Sequence, residues 1–405
     1  MQSVVIIGAS HAATETIASL RKQGWTGKIC LIGDEPSLPY HRPPLSKTYF
    51  SGELDANKLL LRPESFYQSH NVEIRLGQRV AQIDRSAQSV ELEDGTQIAY
   101  DYLVLATGTR ARQLPLDGTD APNMHTLRTQ ADVDQIRAQV SSKSKLLIIG
   151  AGYIGLEVAA SAIKLGADVT VLEAMDRVLE RVTSEAVSEF YQNLHRAEGV
   201  DLRLQTSVTS FEHHNGISLA HLASGDTIEF DLAIIGIGVI PNSELAAEAG
   251  LVCDNGIVVN EFTQTNDDRI FAIGDCSFHH NPFYNRHIRL ESVPNAVEQA
   301  KVAAAKICGK DIIYDQLPWF WSDQYDVKLQ TAGLCQGFDE AVIRGEPADR
   351  KFALFYLRDQ QLLAVDAINS PVDFMIGKKL IASRLPLAAS SLHDTTIPIK
   401  TLLGD

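Results

Sequence analysis

The chain contains no Cys-x-x-Cys pair. Its five cysteines, Cys30, Cys253, Cys276, Cys308 and Cys335, are scattered through 405 residues. A redox-active dithiol of that kind is excluded, and buried free thiols are expected. No apolar run approaches bilayer-spanning length, so no membrane partner is expected. The apolar start at Val4 is short, lacks a basic leader and runs into a turn motif. It reads as a strand rather than a signal peptide, which points to the cytoplasm. Positive charge is in deficit: the formal net charge is -15, and no basic stripe offers a nucleic-acid surface. The pairs His213-His214 and His279-His280 lack carboxylates or cysteines at ligand spacing, so no metal site is expected. No hydrolase motif is present.

What remains is a globular composition, 45% hydrophobic and 21% charged, on a chain long enough for two or three domains. The most informative stretch is "LLIIGAGYIGLEVAASAIKLGADVTVLEAMDR". An apolar run, Leu146 to Ile149, leads into Gly150, Gly152 and Gly155, spaced Gly-x-Gly-x-x-Gly. A helix is expected through Ala162 to about Leu165, then a strand from Val169 to Leu172 ending at Glu173. Each position has a physical role. Gly150 permits the tight turn, Gly152 lets backbone approach a pyrophosphate, and Gly155 lets helix and strand pack closely. The helix N-terminus attracts the phosphates. Glu173, about 20 residues on, can bind a ribose 2′-hydroxyl and repel a 2′-phosphate, which favours NADH over NADPH.

The opening stretch, "VVIIGASHAATE", repeats this plan imperfectly. Gly8 keeps the first position, Ser10 takes the second and Ala13 the third. A strand Val4–Ile7, a helix through Leu20 and a strand Ile29–Ile32 ending at Asp34 and Glu35 are expected around it. Alanine suits the third position, which concerns packing. The Ser10 Cβ narrows the approach, although its hydroxyl can bond a phosphate. On this motif alone a structural turn is a serious rival. Two further strands accompany it: "YDYLVLATGTRAR", ending in Ala106-Thr107-Gly108, and Ile270–Ile273, ending in Gly274-Asp275.

Taken together, the chain resembles the FAD-dependent, NADH-linked ferredoxin reductases of bacterial oxygenase systems, of the putidaredoxin-reductase and rhodocoxin-reductase type. The resemblance rests on "YHRPPLSK" (Tyr40–Lys47), "LATG" (Leu105–Gly108), "GAGYIGLEVAA" (Gly150–Ala160), "IGIGVIPN" (Ile235–Asn242), "AIGDC" (Ala272–Cys276), "ESVPNAVEQA" (Glu291–Ala300) and "PWFWSDQY" (Pro318–Tyr325). It implies an α/β fold. Two doubly wound dinucleotide-binding domains of the disulfide-reductase-like superfamily carry a C-terminal α+β domain. The FAD domain is expected over 1–112 and 238–315, the NADH domain over 113–237 and the C-terminal domain over 316–405. In the last, "KFALFYLRDQQLLAVDAI" alternates like an antiparallel hairpin and "PVDFMIGKKLIASR" reads as a helix.

The resemblance also implies roles. The opening motif becomes an FAD site with a variant loop, in which Ser10 and His11 replace the usual small residues and Ala12 contacts the pyrophosphate by its backbone. For His11 a solvent-facing loop histidine is the equal alternative. Asp34 or Glu35 serves the adenosine ribose; which one stays open. Arg42, Val80, Ala106, Thr107, Gly108 and Arg128 complete the set, with Asp275 on the ribityl chain. Val293, at a helix start, faces the flavin ring. Lys47 approaches the flavin N5 edge, where a cation stabilises negative charge on the reduced ring. Glu157 approaches Lys47 and the nicotinamide, because a buried glutamate needs a partner. These two are the candidate catalytic residues, the alternative for Glu157 being a solvated helix position. Gly150, Gly152, Ile154, Gly155, Glu157, Glu173, Arg181 and Gly238 form the NAD set. A helix-surface charge is the plain alternative for Arg181.

No cysteine occupies "YHRPPLSK", where flavin peroxidases and water-forming oxidases of the superfamily carry one. Electrons are therefore expected to leave singly, to a two-iron two-sulfur ferredoxin feeding a haem monooxygenase or a dioxygenase. Lys301, Lys306, Lys310 and Lys328 are candidate docking cations, with Trp319 and Trp321 as contacts or electron-path groups. Solvated charges and core packing are the alternatives. A monomer is expected. The rival functions are an NADH oxidase or rubredoxin reductase, and a non-enzymatic, NADH-sensing flavoprotein like apoptosis-inducing factor.

Overall fold

A computed structural model describes residues 2–403. The chain divides into two compact units. One comprises residues up to His41, Ala56–Arg110 and Val239–Pro318; the other comprises Arg42–Asp55, Ala111–Gly238 and the chain from Trp319 onward. The segment that carries Lys47 therefore groups with the second unit.

The first unit is built on a five-stranded parallel sheet. Its order is Ile270–Ala272, Tyr102–Leu105, Ser3–Ile7, Lys28–Gly33, Val72–Leu76. The inner strands are covered on both faces and are apolar nearly throughout, whereas the edge strand Val72–Leu76 alternates, with Glu73 and Arg75 between its apolar residues. Val4 and Ile6 pack with Ile17, Leu20, Ala300 and Ala304 from the helices His11–Lys22 and Val293–Ile307. Val5 and Ile7 face the other way, against Val90, Leu92 and Ile257. The period-2 alternation of Cβ directions sends neighbouring residues into separate cores. The helix His11–Lys22 has Ser10 as its N-cap and runs two residues past Leu20, through Arg21 and Lys22, whose positive charge suits a helix C-terminus.

The second unit repeats the plan with a parallel sheet ordered Asp201–Arg203, Asp168–Leu172, Lys145–Ile149, Leu232–Ile235, Met124–Thr126. The helix Tyr153–Lys164 follows its central strand. Its small residues, Ala159, Ala160 and Ala162, are buried. The same unit contains a five-stranded antiparallel sheet, ordered Trp319–Gln324, Val327–Gly333, Gln361–Ile368, Lys351–Arg358, Glu340–Glu346. The expected hairpin is its Lys351–Arg358 and Gln361–Ile368 pair, and the expected helix spans Pro371–Ser383. The fold class is thus two parallel-sheet dinucleotide-type folds plus an antiparallel α+β portion. One strand is shorter than expected: it stops at Ala272, because Ile273 caps a 3-10 turn over Gly274–Cys276.

Candidate functional site

In parallel sheets, ligands bind beyond the carboxyl ends of the strands. In the first unit those ends carry the candidate residues on adjacent strands. Gly8 follows Ile7, Asp34 follows Gly33, Ala106 follows Leu105, and Asp275 lies just past Ala272. Gly8 has φ +102°, and a Cβ there would stand 2.1 Å from the Ala106 carbonyl oxygen. Only glycine lets the turn and the neighbouring strand end close this tightly. Ser10 caps the helix by position, but its side chain makes no capping hydrogen bond. His11 and Ala12 open the helix, and both are buried. His11 lies edge-on to His41 at 5.4 Å, so it is not a solvent-facing loop residue. Asp34 is exposed, whereas Glu35 accepts a hydrogen bond from the Tyr40 hydroxyl at 2.5 Å. Val80 is buried at the start of the strand Val80–Asp84.

Asn242 clamps the Ala106-Thr107-Gly108 turn. Its backbone N–H donates to the Gly108 carbonyl, its amide donates to the Thr107 carbonyl, and the Thr107 hydroxyl donates to the Asn242 carbonyl. Asp275 accepts from the Thr109 hydroxyl at 3.4 Å. Val293 is the first residue of its helix, whose cap, Ser292, accepts from the Asn295 N–H.

The second unit gathers the other set on the same principle. Gly150 has φ +103° and donates its N–H to the Leu172 carbonyl. A Cβ on Gly155 would meet the Gly150 carbonyl oxygen at 2.1 Å, whereas one on Gly152 would meet nothing within 4 Å. Gly155 is thus needed for packing inside the protein. Gly152 instead faces open space at the helix N-cap, with no side chain capping the first turn. Gly238, at φ +103°, also borders open space. Ile154 is 46% exposed beside this loop, unusual for an isoleucine in a first helical turn. The Glu173 carboxylate accepts from the Ala151 and Met175 N–H groups at 2.8 and 3.0 Å. It is therefore fixed beside the glycine loop. Arg181 is exposed on a turn rather than on a helix surface, and its carbonyl accepts from the Gln336 amide.

Lys47 and Glu157 meet in this unit. Lys47 Nζ lies 2.7 Å from Glu157 Oε2, and Glu157 is 3% exposed. Glu157 is therefore not a solvated helix position. Two hydroxyls complete its shell: Ser46 donates to Oε2 at 2.5 Å and Ser322 donates to Oε1 at 2.6 Å. Ser161 donates to the Ser46 carbonyl, tying the helix Tyr153–Lys164 to the 3-10 turn Pro43–Ser46. The Lys47 ammonium also donates to the Pro43 carbonyl. An isolated buried charge costs several kcal/mol, and this one is offset by a cation and two hydroxyl donors. Arg42 donates to the Arg128 carbonyl, so these two are brought together in the second unit.

Of the docking candidates, Lys301, Lys306 and Lys310 lie on or just past the helix Val293–Ile307 of the first unit, and Trp319, Trp321 and Lys328 lie on paired strands of the second. Lys301 pairs with Glu298, and Lys306 pairs with Asp311 and sits over the Phe262 ring. Lys310 is exposed, and Lys328 lies 3.7 Å from Asp323. Trp319 and Trp321 are half-buried with ring centroids 5.9 Å apart, and Lys378 lies over Trp319. Sequence reasoning missed Ser46, Ser322 and Asn242. Each lies inside a quoted motif, but a serine or asparagine in a motif carries no chemical signature of its partner.

Residues 2–300 match a family described as pyridine nucleotide-disulphide oxidoreductase, and residues 319–403 match a reductase C-terminal family. The chain belongs to the pyridine nucleotide-disulphide oxidoreductases. It is 46% identical to putidaredoxin reductase CamA of Pseudomonas putida, over 99% of this chain and 97% of that one. It is 45% identical to rhodocoxin reductase of Rhodococcus erythropolis, over 99% and 94%. The crystal structure of a covalent putidaredoxin reductase–putidaredoxin complex superposes with a TM-score of 0.96 at 45% identity, covering 99% of this chain and 98% of that one. FAD and NAD(P)H are the groups this family implies. The glycine loops fit a pyrophosphate, since uncapped helix starts and the open space over Gly152 suit an anion.

The two glycines of the second loop separate stability from binding. Gly155→Ala is expected to destabilise the fold by ~1–3 kcal/mol through overpacking against the Gly150 carbonyl. Gly152→Ala is expected to leave the melting temperature near that of the parent and to weaken NADH binding. Thermal melts and NADH titrations of both variants check this; equal melting temperatures would contradict it.

Proposed function

We propose that this oxidoreductase, a ferredoxin–NAD(P)⁺ reductase of the oxygenase-system type, takes electrons from NADH through FAD. It passes them singly to a two-iron two-sulfur ferredoxin, which serves a haem monooxygenase or a dioxygenase. The observation that carries this is the likeness to putidaredoxin reductase along the whole chain, C-terminal sheet included. When bound, FAD supplies the conversion from a two-electron hydride input to single-electron output.

The chain's own residues have the following parts. Gly8, Ser10 and Ala12 admit the FAD pyrophosphate at the first helix start, with Asp34 or Glu35 on the ribose. Glu35 is already engaged by Tyr40, which supports Asp34, exposed at its strand end, as the freer ribose ligand. Gly150, Gly152 and Gly155 do the same for the pyridine nucleotide, and Glu173 disfavours a 2′-phosphate. Lys47 holds positive charge where reduced flavin becomes negative. Glu157 fixes that ammonium and orients the nicotinamide. Disulfide reduction is disfavoured because the five cysteines are free and lack dithiol spacing. Burial pushes the Cys30 and Cys335 thiols up to about 11, away from nucleophilic reactivity.

Two outcomes test this reading. NADH is expected to give the higher kcat/KM, and Glu173→Gln is expected to narrow the gap to NADPH. A parent enzyme that prefers NADPH contradicts the assignment of Glu173. In anaerobic stopped flow, Glu157→Gln is expected to slow flavin reduction by NADH about tenfold or more, the loss of a charged hydrogen-bonded partner. Electron transfer from pre-reduced enzyme to ferredoxin is expected to stay near the parent rate. Equal slowing of both steps contradicts the role given to Glu157.

A further inference from the structure

Glu157 does not end with its three direct partners. Ser322, which donates to Glu157 Oε1, itself accepts from the Gln324 amide at 3.2 Å. The Gln324 amide oxygen lies 2.8 Å from His195 Nε2, and the Tyr325 hydroxyl lies 3.0 Å from His195 Nδ1. Ser322 and Gln324 are 1% exposed and His195 is fully buried, so water does not supply these partners. The polar chain crosses from the strand Trp319–Gln324 to the helix Glu185–Ala197 and returns to the hairpin turn at Tyr325. Such a line of buried polar groups is costly unless every member is satisfied. Here each member is.

The chemistry of the groups fixes a direction. The carboxylate accepts, so the Ser322 proton points at Glu157 and a Ser322 lone pair faces Gln324. The Gln324 nitrogen donates to that lone pair, so its oxygen faces His195 and Nε2 must carry the imidazole proton. Nδ1 is then the acceptor for Tyr325. Burial pushes the imidazole down to about 4, so at neutral pH it is uncharged, as this pattern requires. Tyr325 occupies a left-handed position, φ +55°, that aromatic residues rarely adopt, and its hydroxyl is used. A primary amide does not relay protons, so the chain aims dipoles rather than moving charge.

We infer that Ser322 is a positioning residue for Glu157, and that Gln324, His195 and Tyr325 hold its hydroxyl proton on Oε1 so that Oε2 stays turned to Lys47. The inference rests on the reading of Lys47 and Glu157 as the place where hydride reaches the flavin. It gives the C-terminal sheet a part in flavin reduction, separate from any part in docking. The motif residues Ser322, Gln324 and Tyr325 thereby acquire a common purpose.

The test uses the full-length FAD-bound protein. Ser322→Ala is expected to lower the limiting rate of flavin reduction about tenfold, with the NADH dissociation constant unchanged. Ser322→Thr, which keeps the hydroxyl, is expected to restore most of that rate. Independently of activity, ¹⁵N NMR of the imidazoles should show His195 neutral with its proton on Nε2. Tyr325→Phe should move the Nδ1 resonance toward that of an imine nitrogen lacking a donor. His195 protonated on Nδ1 overturns the chain. A folded Ser322→Ala with the parent limiting rate, while Glu157→Gln is slow, overturns the positioning role alone. If Glu157→Gln is also unimpaired, the reading of the pair as the reduction site falls with it.

Discussion

The ion pair between Lys47 and Glu157 is the interaction on which the geometry of the proposed site depends. A carboxylate 3% exposed is tolerated only because an ammonium and two hydroxyls meet its oxygens. That requirement joins three pieces of chain far apart in sequence: the proline-rich turn at Pro43–Ser46, the helix Tyr153–Lys164 and the strand Trp319–Gln324. Pro43 and Pro44 stiffen the turn that presents Lys47. Ser161 anchors the same turn through the Ser46 carbonyl, four residues along the helix from Glu157. Removing any one of these pieces leaves a buried charge without its full shell.

The parallel sheets set the second constraint. Each places glycine or a small residue at the carboxyl end of a central strand, followed by a helix start with no side-chain cap. The two loops reach similar geometry from different sequences. Gly8 and Gly150 share a positive φ near 100° and the same close approach to a neighbouring carbonyl. Ser10 replaces the glycine that in the second loop opens onto empty space.

Much of the fold was legible in the sequence, because period and punctuation are local. Apolar β-rich runs, glycine spacing and the terminal acid at Glu173 marked the second nucleotide unit, the opening unit needed the resemblance to decide between a nucleotide loop and a structural turn, and the alternation from Lys351 to Ile368 marked the hairpin. The Lys47–Glu157 contact was reachable because a buried glutamate demands a cation and the resemblance placed one nearby. Ser322 and Ser46 were not legible, since their value depends on which atom faces them. The same holds for Asn242, whose clamp on Thr107 and Gly108 spans 135 residues. His195 carries no motif in the sequence; only its burial against Gln324 and Tyr325 distinguishes it. The helix boundary beyond Leu20 and the early end of the strand at Ala272 differ from expectation by one or two residues, where capping geometry rather than pattern decides.

The central claim is that electrons leave this flavoprotein through a protein acceptor rather than through oxygen or a thiol. It is tested most directly by following NADH oxidation in air, with and without a two-iron two-sulfur ferredoxin coupled to cytochrome c. The account predicts slow oxidation by oxygen alone and strong acceleration when ferredoxin is added. Rapid NADH consumption without ferredoxin, unchanged by its addition, would contradict it and identify an oxidase.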